Sequence, residues 1–189
     1  MRIGKIVDVG LLVGVAAMTC AMVYIGLQLH QARTPPAPRP ALAAGATVPS
    51  MEAQEIGGTS ALVKFEDDPR PTVIYVFSPT CVWCKRNLDN LKALVSADHG
   101  RFRWVGLSTL NAGVNDYLKS NHLGFDEVLV NPSAATMAAY HIGATPETFV
   151  VGADHRLLAD WRGAFASDPI RSEVQKFFAL TLPPWAPIQ

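Results

Sequence analysis

Three regimes of hydrophobic and polar residues follow one another along the chain. From Val9 to Leu29 no formal charge interrupts an apolar run, with Arg2 and Lys5 before it and Arg33 and Arg39 after it. Its length matches the roughly 20 residues that a helix needs to cross a bilayer. A cleavable signal has a shorter apolar stretch, about 7–15 residues, with its cleavage site close behind. Ala41-Leu42-Ala43 has the small-x-small form but lies well past the run. The pattern therefore predicts an uncleaved signal anchor over residues 1–30, a single transmembrane helix. Residues 31–50 turn to Pro, Ala and Thr, with Pro35, Pro36, Pro38 and Pro40 closely spaced. Such a segment favours extended polyproline II and predicts a spacer.

From residue 51 the periodicity becomes that of a globular domain. Leu62–Phe65 is a short candidate strand, and Thr72–Phe77 is β-branched, aromatic and continuously apolar, as a buried central strand is. After Cys84, Leu88, Leu91 and Val95 recur at helical spacing while Lys85, Arg86, Asp89 and Lys92 fall on other faces. Strands are predicted at Phe102–Leu107 and Val128–Val130, and helices at Val114–Ser120 and Ser133–Tyr140. Thr148–Val151 and Arg156–Trp161 flank the turn Gly152-Ala153-Asp154-His155 as a hairpin. Ser167-Asp168-Pro169 opens a last helix reaching about Leu180, with proline in its first turn. The order β-α-β-α-β-α-β-β-α predicts an α/β domain over residues 51–182, a central sheet with helices on both faces, followed by a tail at 183–189.

Lys+Arg and Asp+Glu stand at 16 each, so no basic excess points to nucleic acid. Three cysteines make no structural disulfide framework. Cys20 reads as a small apolar residue of the anchor. The other two form Cys81-Val82-Trp83-Cys84, between the apolar strand and the amphipathic helix. Two thiols so spaced in a helix's first turn can close into a disulfide and reopen, and the helix N-terminus favours the thiolate of the first. Cys81 is then the attacking nucleophile, helped by Lys85 and Arg86, and Cys84 is the resolving thiol. A zinc site needs about four ligands. No second Cys pair exists, and His99, His122, His141 and His155 sit at loop or element edges without ligand spacing, so no metal is expected. No flavin or nicotinamide motif is visible. The redox-active pair Cys81–Cys84 is the only redox group expected.

These residues resemble the thioredoxin superfamily: strand, Cys81-Val82-Trp83-Cys84, helix, and then Ala144-Thr145-Pro146 at the entry of a strand about sixty residues on. Within it, the extra β-α at roughly Leu110–Val130 is similar to the membrane-anchored branch that includes the TlpA, ResA and DsbE-like proteins. Gly143-Ala144-Thr145-Pro146-Glu147-Thr148-Phe149 looks most like its cytochrome c maturation members, where an acidic residue follows the cis-proline. The resemblance covers roughly Met51–Leu182. It implies a thioredoxin-like fold, a central mixed sheet flanked by helices, with the β-α insertion between CxxC and the cis-proline.

It also implies roles. Pro146 in cis would set Thr145 against the dithiol, its backbone open to pairing with an incoming chain; the alternative is an ordinary strand-initiating proline. Trp83 is either an apolar substrate contact or a helix-surface aromatic, and Thr80 joins it at the rim, where thioredoxin has Trp. The buried Asp of thioredoxins, six residues before the first cysteine, is Tyr75 here, and the Glu that many anchored relatives carry three residues after the second is Asn87. Glu147 is the remaining acid predicted near the site, either assisting proton transfer at Cys84 or pointing to solvent. The function implied is that of an extracytoplasmic oxidoreductase, tethered to the inner membrane with its domain on the periplasmic side. It would reduce a particular protein disulfide of apocytochrome c or metallochaperone type, with electrons from a transmembrane thiol donor. The alternatives are an oxidase or isomerase, or a non-catalytic assembly or metal-binding factor of the same fold.

Overall fold

The structure is a computed structural model of the 189-residue chain and describes residues 17–28 and 41–185. The chain divides after Pro38 into two units. In the first, residues 17–28 are helical, with Met22, Val23, Tyr24, Ile25 and Leu27 exposed. Among the described residues no helix is long and apolar enough to cross a membrane. The span expected at Val9–Leu29 and the spacer expected at residues 31–50 both lie partly outside the described residues.

In the second unit the apolar runs become strands and the mixed runs between them helices. Seven strands form one sheet: β1 (Met51–Glu55), β2 (Ser60–Val63), β3 (Thr72–Phe77), β4 (Arg103–Ser108), β5 (Glu127–Val130), β6 (Glu147–Val151) and β7 (Leu157–Arg162), in the order β2-β1-β5-β4-β3-β6-β7. β3, β4 and β5 are parallel, and the outer pairings are antiparallel, so the sheet is mixed as expected. All six residues of β3 are buried, which its continuous apolar pattern required. The connections carry α1 (Val82–Arg86), α2 (Leu88–Ala97), α3 (Val114–Asn121) and α4 (Ala134–Ala139), and α5 (Asp168–Phe178) follows β7. α3 and β5 are the expected β-α insertion.

Alternation along the strands divides the core in two. One face gathers Tyr75, Phe77, Trp104, Val150 and Trp161 with Cys84, Leu88 and Leu91. The other holds Ile74, Val76, Val105, Leu107, Phe149 and Leu157. On the first face Phe125 stacks against both Tyr75 and Phe77, and Phe77 against Tyr117. Gly106 of β4 makes room for that ring: a Cβ there would lie 2.7 Å from Phe125 Cδ2.

Several boundaries differ from the sequence reading. β1 was not expected; Met51 and Ala53 alternate inward, but Glu, Gln and Ala are poor strand formers, and the strand exists by pairing with β2 and β5. The Leu62–Phe65 strand sits instead at Ser60–Val63. The expected spacer boundary at residue 50 falls inside the folded unit. Gly45 N–H donates to Leu157 O, Leu157 N–H donates to Ala46 O, and Val48 is buried. These contacts cover the Leu157 end of the outer edge of β7, where unpaired backbone groups would otherwise face solvent. The last helix ends two residues before Leu180, with Ala179 left-handed.

Candidate active site

The Cys81-to-Cys84 segment leaves β3 through Ser78-Pro79-Thr80 and enters α1 at once. Cys81 is the N-cap: its backbone is extended, its N–H donates to Ser78 O, and its carbonyl accepts from Lys85 N–H. Its Sγ accepts the Cys84 N–H at 3.1 Å and donates to Thr145 O at 3.3 Å. Both cysteines are free thiols, Cys81 half-buried and Cys84 fully buried. The Thr145–Pro146 peptide is cis and Pro146 is buried. The structure thus brings together Cys81, Cys84, Thr145 and Pro146, from two distant stretches of sequence.

Beneath the dithiol, among the described residues, no carboxylate replaces the two missing acids. Tyr75 and Asn87 are both fully buried, and Asn87 Nδ2 lies 3.5 Å from Tyr75 Oη. Asn87 Oδ1 accepts from Asn90 Nδ2 and from Phe165 N–H, each at 3.0 Å. That inward pull coincides with a break of the expected continuous helix into α1 and α2, where Asn87 N–H is shared between Trp83 O and Cys84 O. Burial, followed by the hydrogen bond to Cys81, pushes the Cys84 thiol from 9.0 up to about 12. Burial likewise holds the Tyr75 and Tyr117 phenols protonated, with the nearby thiols adding to the effect. The bed of the site is neutral and hydrogen-bonded.

Glu147 does not join it, which corrects the expectation that it serves Cys84. It pairs in register with Val76 of β3 and Arg162 of β7, so it points to the face opposite Tyr75 and Cys84. There its carboxylate meets Arg162 Nε at 2.9 Å, and Asp160 Oδ2 lies 3.6 Å from the same nitrogen. Burial, with Asp160 adding to it and Arg162 opposing it, lifts Glu147 from 4.5 to about 8. The solvent-facing alternative fails too, because Glu147 is buried.

At the rim, Val82 is 68% and Trp83 49% exposed. Thr80 is exposed, but its hydroxyl is engaged with Ser78 Oγ at 3.1 Å. Lys85 is exposed, and the Arg86 guanidinium carbon lies 4.9 Å over the Trp83 ring. Sequence reasoning missed the supporting roles of Tyr117, Asn90 and Phe165. Only their apolar or helical spacing was visible, and that does not distinguish a residue under the dithiol from any other core residue. Among the described residues no cluster of three or more His, Cys, Asp or Glu is placed to hold a metal.

Comparison with known proteins gives the same architecture. No protein-family model and no curated protein matches the chain. Among solved structures, the thioredoxin domain of a thiol-disulfide oxidoreductase from Bacteroides vulgatus superposes with TM-score 0.58 at 17% identity, over 73% of this chain and 99% of that one. StoA from Bacillus subtilis gives 0.51 at 19%, over 74% and 99%. A secreted Mycobacterium tuberculosis disulfide oxidoreductase homologous to Escherichia coli DsbE gives 0.53 at 18%, over 68% and 93%. At these identities the likeness is one of fold, and the fold is thioredoxin-like.

Proposed function

We propose that this chain is a thiol–disulfide oxidoreductase that reduces a protein disulfide through Cys81 and Cys84. The observation that carries the reading is the Cys81 Sγ contact with Thr145 O, which sets a half-exposed thiol beside a main-chain edge while its partner thiol waits one turn deeper. In the reaction, the Cys81 thiol gives up its proton to solvent, and the thiolate attacks one sulfur of the substrate disulfide. That S–S bond breaks, and the departing substrate thiolate takes a proton. Cys84 then loses its proton and attacks the Cys81 sulfur. The Cys81–Cys84 disulfide forms, and the second substrate thiolate leaves and is protonated. Two electrons and two protons pass to the substrate. A transmembrane thiol donor restores the dithiol.

The reducing direction is supported by the neutral bed. A stabilised reduced form is what makes a dithiol a strong oxidant. Among the described residues no cation shifts Cys84 towards its thiolate, and burial opposes one. The tether is supported by the uncharged run Val9–Leu29 and by the exposed apolar side chains of residues 17–28. We place the domain on the periplasmic face of the inner membrane, acting on an apocytochrome c or metallochaperone disulfide, on the resemblance of the Gly143–Phe149 segment.

Insulin reduction by the dithiothreitol-supplied protein tests the chemistry. Wild type accelerates precipitation of the insulin B chain, and Cys81→Ser abolishes the acceleration. An unchanged rate in Cys81→Ser would refute a redox role and favour an assembly factor.

A further inference from the structure

The segment that follows α5 is fastened to the same scaffold that supports the dithiol. Arg171 of α5 donates to Leu182 O at 3.3 Å and to Pro183 O, and its guanidinium also reaches Phe165 O at 2.9 Å and Asn90 Oδ1 at 3.3 Å. Asn90 donates in turn to Asn87, the residue under Cys84. Leu182 is buried, and its N–H donates to Gln175 Oε1 at 2.9 Å. The chain is therefore fixed just before Trp185. From there the Trp185 indole lies against Arg86, whose guanidinium carbon is 5.0 Å from its ring centroid and 4.9 Å from that of Trp83. One guanidinium is shared by two indoles, and one of them belongs to the residue between the cysteines.

An exposed indole that rotates freely must be immobilised when a substrate seats on it, at a cost in affinity. One held by a cation on its face has already lost much of that freedom. Resting on the oxidoreductase reading, we propose that Trp185 is a positioning residue for the dithiol. Through Arg86 it holds Trp83 as a fixed apolar platform, on which a polypeptide disulfide seats an apolar side chain flanking its reacting cysteine. Val82 and Trp83 are the exposed apolar side chains of that turn, and Thr145 O lies 3.3 Å from Cys81 Sγ beside them. The platform thus selects by the residue next to the cysteine.

The test uses the full chain in detergent with two synthetic disulfide-linked peptides, identical except for Leu or Ser beside the reacting cysteine. Wild type prefers the Leu peptide through a lower KM. Trp185→Ala raises KM for the Leu peptide about two- to fivefold, the range of one exposed cation–π contact, with a smaller change in kcat and in the Ser peptide. Trp185→Phe, which keeps a ring for Arg86, recovers part of the preference. An unchanged KM for the Leu peptide in Trp185→Ala overturns the inference, as does an equal rise for both peptides, which marks a general structural loss. A wild-type chain that reduces neither peptide overturns the oxidoreductase reading and this inference with it. Activity on both with no effect of Trp185→Ala overturns this inference alone.

Discussion

Resolution of the mixed disulfide is the step that the neutral bed should slow, and its pH dependence can be worked out from the buried thiol. With Cys84 at about 12 against an ordinary 9.0, about 10³-fold fewer thiolates stand ready at neutral pH. A thiolate of higher pKa is also the better nucleophile, with a Brønsted coefficient of about 0.4–0.5, which returns roughly 15- to 30-fold. The free dithiol sets the upper bound: an attack up to roughly 30- to 60-fold slower than that of an equally placed thiol with an ordinary pKa. The contribution of the Cys81 thiol vanishes once it is bonded to substrate, but burial is the larger cause and remains. Stopped-flow reaction with excess dithionitrobenzoate separates the steps. The first thionitrobenzoate is released by Cys81 at a rate set by reagent concentration. The second is released by Cys84 at a rate independent of it, and is absent in Cys84→Ser. That second phase should accelerate tenfold per pH unit from pH 6 to 10 without levelling. A plateau with a midpoint near 9 or below would refute the reasoning, since it would mean that a solvated or base-assisted thiol performs the step.

Three further outcomes follow from packing and charge. Glu147 titrates at about 8 when folded and 4.5 as its ordinary value. The folded chain therefore keeps a proton that the unfolded chain releases. This contribution to stability is complete below about 4.5 and declines as pH rises to about 8. Urea midpoints at pH 5 and pH 8 should converge in Glu147→Gln, while the pH profile of the dithiol stays where it was. Asn87→Ala strands the buried Phe165 N–H and Asn90 amide. That costs about 2–3 kcal/mol, or roughly 4–12 °C in Tm by thermal circular dichroism. Gly106→Ala pushes its methyl into Phe125 and costs about 1–3 kcal/mol in chemical denaturation. Combined with Phe125→Ala, the same change should cost almost nothing further.

The parts legible in the sequence were those with a repeating or local signal. Thr72–Phe77 announced a buried strand because every side chain in it is apolar, and the hairpin announced itself through its turn. The adjacency of Cys81, Cys84, Thr145 and Pro146 was readable because spacing and resemblance agreed. β1 was not, since Glu52, Gln54 and Glu55 argue against a strand that only its neighbours enforce. Residues 41–48 looked like spacer because Ala, Gly and Thr have no pattern, yet their backbone groups find Leu157 at the start of β7 and His155 before it. Glu147 was assigned to the dithiol by proximity in sequence to Pro146. The alternation of a strand sends it to the other face, and that depends on a register no sequence displays. Trp185 carried no signal at all, because its contact with Arg86 depends on how Arg171 fastens the preceding residues.

The reduction potential of the Cys81/Cys84 pair tests the central claim most directly. The full chain in detergent is equilibrated against graded glutathione and dithiothreitol buffers, and the dithiol fraction is read by alkylation. A value near or below about −270 mV is the one expected of a reductant with a neutral bed under its second thiol. A value between about −120 and −180 mV would contradict it and assign the chain to disulfide formation or isomerisation.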